Sequence, residues 1–115
     1  MSNNNYIIAE FYIKDINTNT RIINSFEQFE NEDKIKDEKI INNYRNEKEL
    51  KENCEIEINN ELIKFSYFHK FNKSGRNIIK YKFKNNLTKT VCLFTFCESL
   101  KNIELSILIL KMLII

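Results

Sequence analysis

The 115-residue sequence contains no proline and only one glycine, Gly75. A glycine-rich phosphate-binding loop needs several glycines, so this class of nucleotide site is excluded, as are collagen-like and Gly/Pro-rich linker sequences. Cysteine occurs three times and histidine once, at His69. Three cysteines cannot form a fully paired disulfide framework, so we expect reduced thiols.

The sequence also lacks targeting and membrane-spanning patterns. Residues 2–5 are polar and uncharged, and no apolar run of signal-peptide length follows them. We therefore predict a cytoplasmic protein. Residues 107–115 are apolar except for Lys111, but a spanning helix needs about 20 apolar residues. We predict no membrane span, although this apolar terminus offers a surface for self-association.

The composition supports one small domain, with 43% hydrophobic and 30% charged residues and a formal net charge of +2. These totals favour neither disorder nor a strongly basic nucleic-acid-binding protein. Isoleucine, asparagine and lysine, which have codons made of A and T alone, supply 52 of the 115 residues. The abundance of lysine is therefore weak evidence of function, because base composition accounts for part of it.

Two segments near the N-terminus have the pattern of β-strands. Residues 7–15 alternate between apolar and mainly polar side chains, which predicts a half-buried strand. Turn-forming residues follow, and residues 20–25 have the character of a returning strand. We therefore predict a hairpin over residues 7–25.

Residues 27–53 are acidic and poor in apolar side chains. Ser25 and Gln28 have the spacing of a capping box, which favours the start of a helix. Glu47 and Lys51 have the i,i+4 spacing that stabilises helices weakly. A marginal helix and an acidic loop both fit this composition, and we predict a partly helical insertion.

The strand pattern returns at Cys54 and continues to residue 84. Turn signals at Asn59-Asn60 and at the loop ending in Gly75 divide this region into three strands, for which we predict an antiparallel meander. With the hairpin, the meander gives an α+β, β-rich fold of about five antiparallel strands with one helical or loop insertion. A small sandwich and a β-grasp arrangement both fit this order.

Charge is distributed unevenly along the chain. Residues 1–61 contain eight Lys/Arg and fourteen Asp/Glu, whereas residues 62–97 contain eight Lys/Arg and no acidic residue. Either the two parts attract each other within one domain, or the basic part binds an acidic partner.

The residues that usually bind metals or carry catalysis are few and scattered. Cys54, His69, Cys92 and Cys97 are the candidate metal ligands, but structural zinc sites use close pairs two to four residues apart. A packed histidine is the simpler interpretation of His69, because a general base needs convergent partners. We therefore expect no metal, no cofactor and no catalytic site, and buried, inert thiols.

The basic segment carries an alternative hypothesis, single-stranded nucleic-acid binding. Cations that could bind phosphates alternate there with aromatic rings that could stack on bases. The simpler interpretation is that the rings form the core and the lysines form the solvated face. The candidate basic face comprises Lys64, Lys70, Lys73, Arg76, Lys80, Lys82 and Lys84.

A distinctive motif lies between residues 87 and 106, where Leu93 and Phe94 are followed by the sequence T-F-C-E-S-L-K-N-I-E-L-S. It resembles the start of the BspA-like leucine-rich repeat, whose unit runs roughly M-F-x-x-C-x-S-L-x-x-I-x-L-S-N-F-x-T-x-x-V. The strand-rich residues from about 54 onward resemble the segment that precedes the first repeat in such proteins. The candidate repeat core comprises Phe94, Cys97, Leu100, Ile103 and Leu105.

This resemblance implies a short repeat strand whose apolar side chains point into a stacked core. One repeat cannot bury such a face alone, because stability comes from neighbouring repeats. Residues 1–86 would be a β-rich cap module, residues 87–106 a first, incomplete repeat, and residues 107–115 an apolar tail. The family is associated with surface exposure, adhesion and protein binding, so we expect a non-catalytic protein–protein interaction or capping module whose partner the sequence does not identify.

The match to the repeat pattern stops after Ser106, and one deleted base accounts for the residues that follow. The family pattern would continue Asn-Phe-Asn-Thr-Lys-Asn-Val-Asn-Asn. If AT-rich codons encode these residues, removal of one A from the first codon yields the sequence of residues 107–115. We therefore hypothesise that the chain is the N-terminal part of a longer repeat protein, truncated by a frameshift. An apolar strand or helix that completes the core is the alternative.

The frameshift hypothesis predicts that the DNA after codon 106 encodes further repeats in a shifted frame. Sequencing of the locus tests it directly, because restoring one A should recover the repeat pattern. A frame that ends naturally, with no repeat-coding DNA downstream, would contradict the hypothesis.

Overall fold

A computed structural model of the chain describes residues 5–33, 38–39, 44–85 and 92–105, and all structural statements below concern these residues. They form seven strands and two helices with defined bounds. In chain order these are β1 (Tyr6–Ile13), β2 (Asn19–Arg21), α1 (Phe26–Asp33), α2 (Glu47–Asn53), β3 (Cys54–Ile58), β4 (Glu61–Ile63), β5 (Phe68–Lys70), β6 (Gly75–Phe83) and β7 (Leu100–Leu105).

The strands form two antiparallel sheets. Five strands lie in the order β4-β3-β6-β1-β7, and β2 pairs with β5 in a separate two-stranded sheet. With two short helices, this arrangement confirms the predicted β-rich α+β class. The cap-module boundary at residue 86 and the tail at residues 107–115 lie outside the described residues.

The predicted N-terminal hairpin is wrong, because β1 does not pair with β2. β1 lies between β6 and β7, and β2 pairs with β5. The turn signals are real: the Asn17 N–H donates to the Asp15 carboxylate at 2.9 Å. However, β2 has only three residues, whereas β1 has eight, with an apolar side buried along its whole length. Two long strands satisfy the backbone of β1 better than one short strand can.

The predicted meander is correct in its first turn and wrong in its pairing. β3 and β4 form a hairpin, and Asn59 and Asn60 adopt left-handed backbone angles (φ 49° and 71°), as the favoured two-residue hairpin turns require. Gly75 also has a positive φ of 82°. The loop before it, however, joins strands of different sheets, because β6 pairs with β3 and β1 rather than with β5.

The core lies between one face of the five-stranded sheet and the segments that pack on that face, among them those after β2 and β5. The Tyr81 hydroxyl donates to the Ile22 carbonyl, which attaches the segment after β2 to the centre of the large sheet. The rings of Phe11 and Phe71 stack at 6.3 Å, which adds a contact from the segment after β5. The fully buried apolar residues are Ile7, Ala9, Phe11, Ile22, Leu50, Ile56, Ile79, Tyr81 and Phe83.

The acidic insertion contains both helices, in agreement with the predicted partly helical character. The Gln28 N–H donates to Ser25 Oγ at 3.2 Å, which is one half of the predicted capping box. Lys51 Nζ lies 3.9 Å from the Glu47 carboxylate, at the predicted i,i+4 spacing.

The two helices cap each other, which the sequence pattern did not reveal. Asn46, directly before α2, accepts the N–H of Phe26 at the start of α1 through its Oδ1 at 2.8 Å. In return, the Glu27 carboxylate accepts the N–H groups of Asn46 and Glu47, each at 3.1 Å. Tyr67 adds a bond from its hydroxyl to the Glu47 carboxylate at 2.7 Å. Each helix therefore satisfies N–H groups that the other leaves unpaired.

Replacement of Asn46 by alanine removes the acceptor for a buried N–H, so we expect Asn46→Ala to lower the free energy of unfolding by about 1–2 kcal/mol. Urea denaturation measures this change. Asn72→Ala, at an exposed loop position, is the matched control and should change stability by less than about 0.5 kcal/mol. Equal effects of the two substitutions would show that the reciprocal capping contributes nothing.

Candidate functional site

The repeat-like segment is anchored in the core before it forms a strand. Cys92 and Phe96 adopt left-handed backbone angles (φ 64° and 67°), and the turns they make bring Leu93 and Cys97 into the core. The ring of Phe94 lies edge-on to Tyr81 at 5.5 Å. This anchoring fixes where the following strand, β7, can start.

β7 is an edge strand of the five-stranded sheet. Ile103 is opposite Ala9, so it lies on the core side of the sheet, and Leu105 is paired with Ile7 at the end of β7. Asn102 lies on the other side, where its Nδ2 donates to the Glu10 carboxylate at 3.0 Å. The Ile103 side chain is nevertheless 46% exposed. The apolar layer of the sheet thus runs out to the edge and ends in an uncovered isoleucine.

The free edge of β7 also presents backbone hydrogen-bonding groups. The Phe83 N–H donates to the Asn5 carbonyl, so odd-numbered residues of β1 bond to β6. Its even-numbered residues therefore bond to β7, as the bond from the Tyr12 N–H to the Ser99 carbonyl confirms. In β7 these partners are Asn102 and Glu104. The N–H and C=O of Ile103 consequently point away from β1, and no described strand pairs with them.

The candidate repeat-core residues are brought together around the start and the core side of β7. Cys97 is buried, and Phe94 and Leu100 pack against the core. Ile103 lies on the same side but is about half exposed, and the side chain of Leu105 lies outside the described part of the chain.

The seven cations of the candidate basic face come from several elements, and Lys73 and Lys80 line the same depression. Arg76, Lys80 and Lys82 lie on β6. The remaining four belong to β5 or to loops, namely Lys64, Lys70, Lys73 and Lys84.

Acidic side chains of the neighbouring strands pair with two of the outward cations of β6, and the third, Lys80, lies 4.9 Å from the centre of the Tyr6 ring. Arg76 forms an ion pair with Glu10 on β1, and Lys82 forms one with Glu57 on β3. The hydrogen bonds from Arg76 and then Asn102 lower the pKa of the Glu10 carboxyl. The hydrogen bond to Glu57 stabilises the charged form of Lys82 and so raises its pKa. The outer face of the sheet is therefore a mixed-charge surface.

The aromatic residues of the basic segment are mostly engaged in the core. Phe71, Tyr81 and Phe83 are buried, so their rings are closed to a nucleic-acid base. Phe68 is exposed, but the Arg21 guanidinium lies 4.4 Å from the centre of its ring.

Burial shifts the pKa values of two thiols and of the histidine towards their neutral forms. Burial raises the pKa of the Cys54 and Cys97 thiols to about 12, which leaves almost no thiolate near neutral pH. The His69 ring lies edge-on to Phe71 at 4.8 Å, and burial lowers its pKa. Among the residues that the structure describes, no group of three or more His, Cys, Asp or Glu side chains could hold a metal ion.

A shallow groove beside the start of β7 was not predicted from the sequence. It consists of two adjoining depressions of about 510 and 440 Å³, which share Thr18, Thr20, Glu98 and Ser99. Exposed aromatic rings lie at both ends, Tyr12 at one and Phe68 and Phe96 at the other. No sequence signal indicates it, because its walls come from three separate segments.

No family model, curated protein or solved structure matches the chain. Within the described ranges, no helix has the length and apolar character needed to cross a membrane.

Because acids neutralise Arg76 and Lys82 on the outer face of β6, we expect the double variant Glu10→Gln, Glu57→Gln to bind labelled single-stranded oligothymidylate about tenfold more tightly than the unmodified chain at low salt. Fluorescence anisotropy at two salt concentrations measures this difference. Glu52→Gln, Glu98→Gln is the matched control, since it changes net charge equally without releasing these cations. Tight, steeply salt-dependent binding by the unmodified chain would contradict the expectation.

Proposed function

We propose that the chain is a non-catalytic capping and interaction module of a BspA-like leucine-rich-repeat protein. In this proposal β7 is the strand of the first repeat, and the five-stranded sheet shields the apolar end of the repeat stack. The resemblance of residues 87–106 to the repeat motif supports the family, and the position of β7 at a sheet edge supports the role.

The observation that carries the proposal is the exposed Ile103 on the core side of an unpaired edge. A capping module must close its own core and leave one edge open to the next repeat. The backbone groups of Ile103 point to that open side, where a parallel repeat strand would bond to them. The side chain of Ile103 would then become buried in the continued apolar layer.

The opposite edge of the sheet, formed by β4, is less suited to pairing with another strand. β4 has only three residues, and short edge strands resist further pairing. The two edges therefore differ as the capping role requires. The β4 edge is short, whereas the β7 edge is longer and can pair with a further strand.

Single-stranded nucleic-acid binding, the alternative function, receives less support. It needs unpaired cations beside accessible rings. Arg76 and Lys82 are paired with acids, and the rings of Phe71, Tyr81 and Phe83 are buried. Protein binding through the β7 edge needs none of these groups, so we favour it.

Adhesion and truncation are further parts of the proposal. In BspA-like proteins, adhesion is associated with the repeat array rather than with the segment before it. The frameshift hypothesis concerns residues 107–115, which lie outside the described ranges, and it is decided at the level of DNA.

The proposal predicts that repeats fused after Ser106 unfold together with the module. We expect a chain in which three consensus repeats replace residues 107–115 to show one cooperative thermal transition by circular dichroism. Ile103→Lys should split this transition and lower the stability of the repeats by about 2 kcal/mol, because it places a charge in the shared apolar layer.

Asn102→Lys is the matched control for the fused chain, since its side chain lies on the outer face and can still pair with Glu10. It should leave the single transition intact. Repeats that melt independently of the module, with or without the Ile103 substitution, would refute the capping role.

A further inference from the structure

We propose that, when no repeat follows it, the β7 edge binds a second copy of this chain in antiparallel register, with the two-fold axis at Ile103. This inference rests on the open β7 edge of the proposed function and names a partner for it. The two five-stranded sheets would join into one continuous sheet of ten strands.

The backbone of β7 is the first reason. The N–H and C=O of Ile103 both point to the free edge, as the alternation of bonds between β1 and β7 requires. Two copies related by a two-fold axis at this residue exchange both bonds between their Ile103 residues. An axis perpendicular to the sheet also keeps the core side of each copy on the same face of the joined sheet.

The side chains favour this register over the one that has its axis at Glu104. With the axis at Ile103, the two exposed isoleucines meet on the core side, and Asn102 is opposite Glu104 of the second copy. An amide can donate to a carboxylate there, because its Oδ1 and second N–H are not used by the bond to Glu10. An axis at Glu104 would place two carboxylates directly opposite each other, which is destabilising.

Charge along the strand favours the same antiparallel pairing. β7 has Lys101 near its start and Glu104 near its end, so reversal of the second copy brings opposite charges next to each other. The Lys101 ammonium lies 5.4 Å from the centre of the Tyr12 ring, which places it on the outer face with Glu104. Edge strands are usually protected by proline or by a charge that points inward, and the inward residue at the centre of β7 is isoleucine.

Sedimentation velocity of the unmodified chain tests the association. We expect a concentration-dependent shift from the 13.9 kDa monomer to a species of twice that mass. Ile103→Lys should weaken dimerisation by at least about tenfold, because two lysines then face each other across the axis.

Leu62→Lys is the matched control, since Leu62 is an exposed apolar residue (63%) at the opposite edge of the sheet. It should leave dimerisation unchanged. Association that survives Ile103→Lys, or that Leu62→Lys abolishes, would show that another surface is responsible and would overturn the proposal.

Disulfide cross-linking tests the register. In the proposed dimer, residue 102 is opposite residue 104 of the second copy as a non-hydrogen-bonded pair with Cα atoms about 4.5 Å apart, a separation that a disulfide can span. Residues 102 of the two copies would be about 8 Å apart, as would residues 104, which is too far.

A mixture of the Asn102→Cys chain with the Glu104→Cys chain should therefore form covalent heterodimers on mild oxidation, whereas each variant alone should not. The unmodified chain controls for Cys54, Cys92 and Cys97. Cross-linking of either variant alone as efficiently as the mixture, or no cross-linking of the mixture, would overturn the register.

The outcomes separate this inference from the capping role. The fused chain, whose β7 edge is occupied by a repeat, should remain monomeric. A monomeric unmodified chain whose fused repeats still unfold with the module would refute self-pairing and leave the capping role intact. Repeats that melt independently of the module, together with dimerisation of the unmodified chain, would refute the capping role and leave self-pairing intact.

Discussion

The antiparallel pairing of β1 with β6 is the contact on which the rest of the structure depends. On the core side it places Ile7 opposite Tyr81 and Ala9 opposite Ile79, all fully buried. The hairpin of β3 and β4 reaches β1 only through β6, and β7 reaches the sheet only through β1. Loss of this one ladder would separate the remaining strands into unconnected pieces, so the buried layer and the open edge both originate here.

The pairing of β6 with β1 and β3 also brings the basic and acidic parts of the chain together. β6 comes from the part that has no acidic residue, and its neighbours β1 and β3 come from the acidic part. Glu10 and Glu57 meet Arg76 and Lys82 across these ladders. These two ion pairs support attraction within one domain, one of the two alternatives that the sequence leaves open. A basic segment in a sequence therefore indicates a basic surface only when its neighbours in the sheet are known.

Local patterns predicted local structure and failed where partners are distant in sequence. Alternation located the strands, Asn59-Asn60 marked a hairpin turn, and Ser25 marked a helix start, because each depends on nearby residues. The pairing of β1, and the bond between Asn46 and the N–H of Phe26, depend on residues that only folding brings together. The resemblance to a repeat unit predicted a strand where β7 lies, but its place at the edge and the direction of the Ile103 backbone groups required the strand order of the whole sheet.

The central position of the first strand has a consequence for how the chain folds during synthesis. β1 is synthesised before both of its neighbours, which end at Phe83 and Leu105. β1 therefore has no pairing strand until β6, and later β7, has been synthesised. Non-local pairing of this kind makes folding slow and leaves the nascent strand open to aggregation. Of the described strands, β1 is thus the one that stays unpaired longest during synthesis.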